Sequence, residues 1–336
     1  MKRLLAVVAT ATIFISIPAV AQKQFKVATR VKLGGEGGWD YLTYDKDGQR
    51  LFITRGSHVM VVDTNTLKVT GDIPDLSGIH GVALDQELNR GFISNGGDNT
   101  VTIFDLKTLK KLDSVKVGER PDAILYEPFS KHVFTFNARS HDTTVVDAAS
   151  GKVVGTIALG GKPEFAVSDG KGKLYVNIED KNQILAIDVT KMSIVNTTSM
   201  IACEEPSALA LDVEHHRLFS GCGNKLMTVV DADSGKVVMT VPIGEGVDAG
   251  RFNPKTQEIF MSCGEGVLTV IHEDSPDKYT VVQNLPTVKG ARTMALDEEK
   301  DIAYLVTAER LPAGGPPEHR PGFVPGSFEL IVVKPE

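Results

Sequence analysis

Residues 94–118 read SNGGDNTVTIFDLKTLKKLDSVKVG and hold the clearest copy of a unit that the chain repeats from end to end. The unit contains a Gly/Asn turn, an alternating strand that ends in Asp105, a polar turn and a second alternating strand. The same strand ending recurs at Asp63, Asp105, Asp147, Asp188, Asp231 and His272, at spacings of 42, 42, 41, 43 and 41 residues. A period in the low forties with four alternating segments per unit is typical of β-propeller blades. The sequence therefore predicts an all-β propeller.

Each unit begins with an alternating segment, strand a, and these segments align through the residue that ends them. They read GWDYLTYD (38–45), GIHGVALD (78–85), RPDAILYE (120–127), KPEFAVSD (162–169), EPSALALD (205–212), GVDAGRFN (246–253) and GARTMALD (290–297). Seven starts predict seven blades of four antiparallel strands. The last unit ends at FELIVV (328–333) without an outer strand, whereas VATRVKL (27–33) precedes the first unit and has the form of one. Pairing these two segments closes the ring and removes exposed strand edges, so we expect the N-terminal strand to complete the last blade.

Composition and the chain ends set further limits. A repeat that runs through 336 residues favours one domain over two, and a net charge of -7 gives no global attraction to nucleic acid. Lys2 and Arg3, the apolar run 4–17 and the Ala-Val-Ala at 19–21 are typical of a cleaved signal peptide, with a membrane anchor as the alternative. We expect a leader at 1–21 and a single propeller domain at 22–336. The mature chain should lack a membrane span, be periplasmic or secreted, and be a monomer.

Two stretches carry a resemblance to a known family. FISNGGDNTVTIFDLKTL (92–109) and LYVNIEDKNQILAIDVTK (174–191) resemble the YVTN-type repeat of exported seven-bladed β-propellers, the YncE-like family. The resemblance extends over the mature chain except for a Pro/Gly-rich insert at 311–327 in the last blade. It implies a ring that presents binding surfaces, in a family whose members mostly lack an assigned reaction.

The aspartates that end strand c are interpreted as structural. Each opens a polar turn such as DAASGK (147–152), in which its side chain is able to accept backbone N–H bonds. His272 breaks this column in a longer turn, HEDSPDKY (272–279), which we interpret as a surface variation.

The third position of strand a is the strongest candidate for a functional site. It reads Asp40, His80, Asp122, Glu164, Ser207, Asp248 and Arg292, so six of the seven blades present an ionisable side chain. By alternation this position shares a face with the apolar fifth and seventh positions, such as Leu42 and Tyr44. Because charged groups are rarely buried without partners, we predict that the ring lines the solvated mouth of the central channel and binds a ligand.

Strand b runs back to the same rim. Its last residues are predicted to form a second ring, of Arg55, Asn95, Asn137, Cys222, Cys263 and Thr307. Arg55, Asn95 and Asn137 are candidate ligand-binding residues, as is the single tryptophan, Trp39. The insert, with His319 and Arg320, either covers the mouth as a lid or forms a disordered loop.

The chemistry of the ring leaves several functions open. Asp40, His80, Asp122 and Glu164 offer oxygen ligands that suit Ca²⁺ or Mg²⁺, while an imidazole among carboxylates also suits Zn²⁺ or a transition metal. One hypothesis is a binding or scaffold protein that recognises a small molecule, peptide or polymer at the mouth. Another is a metal-dependent hydrolase or lyase of the lactonase type, with His80 as base. A third is a ring that is purely structural.

The three cysteines predict one disulfide. Cys203 lies just before the fifth strand a, and Cys222 ends the strand b beside it. In an oxidising compartment we expect these two to be bonded and Cys263 to be free. Cys222–Cys263, which would join neighbouring blades, is the competing pair.

Overall fold

The computed structural model describes residues 23–311 and 322–336, which form seven four-stranded antiparallel sheets. Strands a of successive sheets contact one another in turn, and strand a of blade 7 contacts that of blade 1. The protein is therefore a closed seven-bladed β-propeller, as the repeat predicts. These residues contain no helix that is long and apolar enough to cross a membrane.

The strands of each blade follow one another from the channel outward as a, b, c and d. Blades 1 to 4 comprise β2 Leu42–Asp45, β3 Arg50–Thr54, β4 Val59–Asp63, β5 Val69–Ile73; β6 Ile79–Asp85, β7 Arg90–Asn95, β8 Thr100–Asp105, β9 Lys111–Lys116; β10 Pro121–Glu127, β11 His132–Asn137, β12 Asp142–Asp147, β13 Val153–Ala158; and β14 Pro163–Ser168, β15 Lys173–Ile178, β16 Gln183–Asp188, β17 Ser193–Ser199. Blades 5 to 7 comprise β18 Pro206–Asp212, β19 Arg217–Cys222, β20 Leu226–Asp231, β21 Val237–Pro242; β22 Val247–Asn253, β23 Glu258–Cys263, β24 Val267–Ser275, β25 Lys278–Pro286; and β26 Met294–Asp297, β27 Ile302–Thr307, β28 Glu329–Pro335 and β1 Phe25–Lys32. A short 3₁₀ helix, Glu179–Lys181, joins strands b and c of blade 4.

Blade 7 is closed by the N-terminal strand, as predicted. β1 pairs antiparallel with β28 from Phe25 opposite Pro335 to Lys32 opposite Glu329. Phe25 is buried and packs edge-on against Phe260 of blade 6, with ring centroids 5.2 Å apart. The closing strand thus contributes to the packing between blades 6 and 7 as well as to the sheet of blade 7.

The hydrophobic core lies between the blades. Strands b and c are buried on both faces, whereas strand d, such as β13, is largely exposed. Phe52 of blade 1, for example, packs against Phe104 of blade 2 with ring centroids 5.6 Å apart. Because each blade covers the face of its neighbour, the core is complete only when the ring is closed.

The strand-c aspartates cap their own turns, which confirms their structural interpretation. Asp147 Oδ1 accepts hydrogen bonds from the Ser150 backbone N–H at 2.7 Å and from the Ser150 hydroxyl at 2.6 Å. Hydrogen bonds of this kind favour the carboxylate, so the pKa values of Asp63, Asp105, Asp147, Asp188 and Asp231 are all lowered.

The structure contains a second acidic column that sequence reasoning missed, at the end of strand a. Asp45, Asp85, Glu127, Asp212 and Asp297 are buried there and accept backbone N–H bonds within the a–b turns. The signal was the acidic residue at position eight of most aligned segments.

The predicted disulfide is present. Cys203 and Cys222 are bonded, with Cα atoms 5.4 Å apart, and Cys263 is free and buried.

Candidate functional site

The ionisable third-position side chains lie at or just before the beginning of strands a, and we call Asp40, His80, Asp122, Glu164, Asp248 and Arg292 the mouth cluster. Five of them form a continuous chain of contacts. Arg292 Nε lies 2.5 Å from Asp248 Oδ2, and its terminal nitrogen lies 3.9 Å from Asp40 Oδ1. His80 Nδ1 lies 2.7 Å from Asp40 Oδ2 and 3.5 Å from Asp122 Oδ1. These side chains are 14–35% exposed, so a ligand in solvent is able to reach them.

A β-bulge explains how these side chains come to share the mouth. In blades 2 to 6 the register between strands a and b shifts around the third position, which inserts one extra residue into strand a. In blades 1 and 7 the regular strand begins only after this position, at Leu42 and Met294. The predicted alternation with positions five and seven is therefore wrong, because it does not continue through the bulge.

Hydroxyl groups of neighbouring blades fix the backbone at this bulge. Ser94 of blade 2 donates to the carbonyl oxygen of Asp122 in blade 3, at 2.6 Å. Thr293 of blade 7 donates to the carbonyl oxygen of Asp40 in blade 1, at 2.9 Å. The mouth residues are thus held by contacts that cross the blade boundaries, and sequence reasoning missed these hydroxyl groups.

Neighbouring residues on both sides fix the orientation of the His80 imidazole. Its Nδ1 faces Asp40 and Asp122, while its Nε2 lies against Gly96, where an added Cβ would be 2.9 Å away. A larger residue at Gly96 would displace the ring. The geometry therefore directs Nδ1 toward the two carboxylates, and Asp40, His80 and Asp122 offer three ligand atoms within 4.8 Å of one another.

Glu164 has a separate partner that the sequence analysis did not single out. Lys162 Nζ lies 2.6 Å from Glu164 Oε1 and also contacts Glu179. Lys162 is the first residue of the aligned fourth segment, and Glu179 lies in the 3₁₀ helix. Glu164 thus interacts with Asp122 through charge rather than through a direct bond.

The mouth holds more carboxylates than fixed cations, and the pKa values reflect this. Burial and the charge of Asp122 raise the pKa of Glu164 to about 8, although Lys162 opposes the shift. Burial, opposed by Arg292, raises the pKa of Asp248 to about 7, and burial also raises the pKa of Asp122. Burial disfavours charged His80, but the hydrogen bond to Asp40 and the charges of Asp122 and Asp40 outweigh this effect and raise the pKa of His80. An additional cation would relieve this repulsion.

Aromatic residues follow the mouth residues at the next position of strand a. Tyr41 packs against Phe165 with ring centroids 5.2 Å apart, and the Arg251 guanidinium lies 4.8 Å from the Phe165 ring. The buried Tyr41 hydroxyl has a raised pKa because of burial and the charges of four mouth acids. Phe165 and Arg251 also line a cavity of about 540 Å³.

The predicted second ring does not line the mouth. Arg55, Asn95, Asn137, Cys222, Cys263 and Thr307 are each at most 1% exposed. Asn95 and Asn137 donate to strand c of their own blades, to Thr102 at 2.9 Å and Thr144 at 3.0 Å. The side chain at the end of strand b points into its own blade. The expectation that these residues form a second ring at the mouth is therefore wrong.

Arg55 instead supports the loop that carries Asp40. Its guanidinium stacks on Phe328 at 3.6 Å and donates to the carbonyl oxygens of Gly34, Glu36, Gly37 and Gly38. Burial lowers the pKa of Arg55 to about 10, which leaves it charged at neutral pH.

Trp39 packs against the C-terminal end of the insert. Its ring lies 4.9 Å from that of Phe323 and 5.8 Å from that of Phe328. The described ends of the insert are held together, since the Leu311 N–H donates to the Gly322 carbonyl oxygen and the Val324 N–H to that of Glu309, both at 2.8 Å. His319 and Arg320, predicted on a lid, lie outside the described residues.

The fold defines the protein as a seven-bladed β-propeller. The chain is similar to a solved chain of a structure titled "Crystal Structure of Mitotic Checkpoint Complex", at 15% identity and a TM-score of 0.76, with 99% of this chain and 98% of that chain covered. It is also similar to a chain of Kuenenia stuttgartiensis hydrazine synthase, at 17% identity and a TM-score of 0.69, with 86% and 95% covered. No protein-family profile and no curated protein matches the sequence. Similarity at these identities establishes the propeller fold alone.

Proposed function

We propose that the protein is an exported β-propeller binding protein that takes a divalent cation, or the cationic group of a small molecule, peptide or polymer, into the mouth cluster. The observation that carries the proposal is Asp122. Its carboxylate is 14% exposed and lies between Asp40 and Glu164, and the basic side chain within 4 Å of it, among the described residues, is His80 at 3.5 Å. A carboxylate so poorly neutralised in a recessed site favours a cationic ligand.

The donor set suggests how the ligand is held. Asp40, His80 and Asp122 are close enough to share one metal ion. Glu164, predicted as a fourth metal ligand, lies outside this group and pairs with Lys162, so it contributes charge from the next blade rather than a ligand atom. Arg292 pairs with Asp248 on the other side of Asp40 and so restricts the cation to the arc formed by blades 1 to 4. Binding would displace the protons that the raised pKa values retain, so affinity should increase with pH.

Export, a cleaved leader at 1–21, a mature domain at 22–336 and membership of the YVTN-repeat family belong to the same proposal. The Cys203–Cys222 disulfide supports an oxidising compartment. The repeat sequence supports the family.

A second candidate, metal-dependent hydrolysis or lyase chemistry at the mouth, is favoured by the His80–Asp40 contact of 2.7 Å, a pairing that general bases often use. The upward shift of the His80 pKa makes the ring harder to keep neutral, and only the neutral imidazole is able to accept a proton. We therefore rank binding above catalysis.

The test is titration calorimetry of chelator-treated protein with Ca²⁺, Mg²⁺, Mn²⁺ and Zn²⁺, and separately with a lysine-rich peptide. The double variant Asp122→Asn/Glu164→Gln should lose binding at the mouth. It should still fold, because relief of the repulsion between the two buried carboxylates offsets the loss of the ion pair between Glu164 and Lys162. Asp147→Asn, a turn variant on the opposite face, is the matched control and should bind like the wild type. Equal binding by the wild type and the folded double variant would show that the charged ring is structural.

A further inference from the structure

Blade 6 departs from the repeat at the point where His272 replaces the usual aspartate. Strands c and d are both nine residues long there, Val267–Ser275 and Lys278–Pro286, and form a longer hairpin than in the other blades. The extension carries Glu273 to the a–b turn of blade 5. The variation predicted to be a surface feature thus creates a contact between two blades.

Three potential metal ligands meet at this contact. Asp212 ends strand a of blade 5, His215 lies in the turn that follows, and Glu273 comes from the hairpin of blade 6. His215 Nδ1 lies 2.7 Å from Asp212 Oδ2 and 3.4 Å from Glu273 Oε1, and the ligand atoms of all three residues lie within 4.8 Å of one another.

Each of the two buried carboxylates has one oxygen that accepts no well-aligned hydrogen bond from a described residue. The side chains of Asp212 and Glu273 are 1% and 0% exposed. Asp212 Oδ2, His215 Nδ1 and Glu273 Oε2 are buried and form no well-aligned hydrogen bond with a described residue, since the 2.7 Å contact between His215 Nδ1 and Asp212 Oδ2 lacks hydrogen-bond geometry. The other oxygens are occupied, because Asp212 Oδ1 accepts from the Glu214 N–H and Glu273 Oε1 accepts from the Tyr279 hydroxyl. Unpaired buried carboxylates are costly unless a proton or a cation compensates them.

The nearby cationic side chain of Arg217 binds other carboxylates. Arg217 donates to Asp231 at 2.6 Å and to Asp277 at 3.2 Å. Among the described residues, the basic side chain within 4 Å of Asp212 or Glu273 is His215 alone. Burial, and after it the charge of Asp212, raises the pKa of Glu273 to about 7, which is consistent with an uncompensated pair.

We propose that Asp212, His215 and Glu273 bind a divalent transition-metal ion of the Zn²⁺ type and thereby join blade 5 to blade 6. One imidazole nitrogen with two carboxylates suits Zn²⁺ better than Ca²⁺ or Mg²⁺, which prefer oxygen ligands throughout. Bonds of about 2.0–2.2 Å place tetrahedral ligands roughly 3.3–3.6 Å apart, so the 3.4 Å spacing fits and the 2.7 Å spacing must open slightly. His215 is 33% exposed, which gives the ion access and leaves room for a water ligand.

This site is separate from the mouth and does not depend on the function proposed there. Asp212 lies at the opposite end of strand a from Ser207, five residues further along, which corresponds to roughly 17 Å of extended chain. The two sites are therefore able to be tested independently.

The experiment is a Zn²⁺ titration of the chelator-treated mature chain in the Asp122→Asn/Glu164→Gln background, which removes two carboxylates of the mouth cluster, among them the Asp122 ligand. It is followed by calorimetry, by thermal unfolding with and without Zn²⁺, and by the visible spectrum of the Co²⁺-loaded protein. We expect one Zn²⁺ per chain and a higher unfolding temperature in its presence. The visible spectrum of the Co²⁺-loaded protein should be that of an ion with a low coordination number.

His215→Gln should weaken Zn²⁺ binding by at least about tenfold and remove the thermal shift. The adjacent His216→Gln is the matched control, because His216 is exposed and pairs with Asp233 instead. Glu273→Gln should also abolish binding, but should not destabilise the metal-free protein, since it removes a buried charge. Absence of saturable Zn²⁺ binding, or equal binding by His215→Gln and His216→Gln, would overturn the proposal. Loss of Zn²⁺ binding in the mouth background alone would assign the ion to the mouth instead.

Discussion

Thr54 in blade 1 donates a hydrogen bond from Oγ1 to the carbonyl oxygen of His80 in blade 2, at 2.9 Å. Ser94 and Thr293 make the same kind of bond to Asp122 and Asp40. Each of these mouth residues is therefore positioned by the preceding blade in the ring. A site whose members come from separate repeats needs such contacts, because no local segment holds more than one of them.

Removing the Thr54 hydroxyl should loosen the mouth without unfolding the ring. We expect Thr54→Val to cost about 1 kcal/mol of stability and to weaken cation binding several-fold, because His80 loses an anchor. Thr135→Val is the matched control, since the buried Thr135 hydroxyl has no hydrogen-bond partner in the described part of the chain and its loss should be neutral or stabilising. Calorimetry and urea denaturation of both variants make the comparison. Identical affinities for the two variants would contradict the positioning role.

The sequence was sufficient to predict the ring, its closure and the disulfide, because each rests on a repeated or local pattern. It also selected the third position of strand a, although for a partly wrong reason. Alternation along a single strand does not reveal the bulge that directs His80 and Asp122 toward the mouth. The same limitation made Asn95 and Asn137 look exposed when they turn into their blades.

The sequence pattern does not predict contacts between distant segments. Lys162 and Glu179 belong to different elements of blade 4, and their spacing in the sequence does not predict that they form an ion pair. Glu273 reaches Asp212 only because a hairpin of blade 6 is longer than its counterparts. A repeat alignment shows that the hairpin departs from the pattern, but only the packing of two blades shows where it leads.

The closing strand should be essential for the core between blades 6 and 7. Phe25→Ala removes a buried ring that contacts Phe260 and should cost about 3–5 kcal/mol. Lys26→Ala, at the next and exposed position, should be nearly neutral. Deleting residues 22–33 should expose the edge of β28 and cause aggregation, which light scattering measures. A stable, monomeric deletion variant would show that the ring does not need this strand.

The disulfide should stabilise blade 5. Because Cys203 and Cys222 close a short loop, their reduction should lower the free energy of unfolding by about 3 kcal/mol. Peptide mapping without reductant should recover the two cysteines in one linked species, and Cys263 should react with a thiol reagent only after unfolding. Three reactive thiols in the native protein would be inconsistent with this pairing.

The turn aspartates should affect stability and not binding. Asp147→Ala removes the acceptor for two Ser150 hydrogen bonds and should cost about 0.5–2 kcal/mol at pH 7, by analogy with a helix cap. The folded-state pKa of Asp147 is lowered, so its contribution is present above about pH 4 and is lost as the pH falls through the folded pKa. The stability difference between the wild type and Asp147→Ala should therefore shrink in acid, while cation binding at neutral pH stays the same.

Glu258 should show the opposite dependence on pH. It begins strand b of blade 6, is 4% exposed and has a buried Oε2 without a hydrogen-bond partner among the described residues. Burial raises its pKa to about 7, and the nearby carboxylate of Asp301 adds to the shift. Between about pH 4.3 and 7 the unfolded chain releases this proton while the folded protein keeps it, so stability decreases as the pH rises through this range.

Glu258→Gln keeps the shape of the side chain and removes its charge, and its amide is able to donate to Asp301. We expect the variant to be more stable than the wild type by about 1–3 kcal/mol at pH 8 and nearly equal to it at pH 4 to 5. Urea denaturation at both pH values measures the difference, with Asp147→Asn as the comparison whose effect should run the other way. If Glu258→Gln is destabilised equally at both pH values, then Glu258 is ionised and well paired in the folded protein, and the blade 6 rim contains a compensating cation.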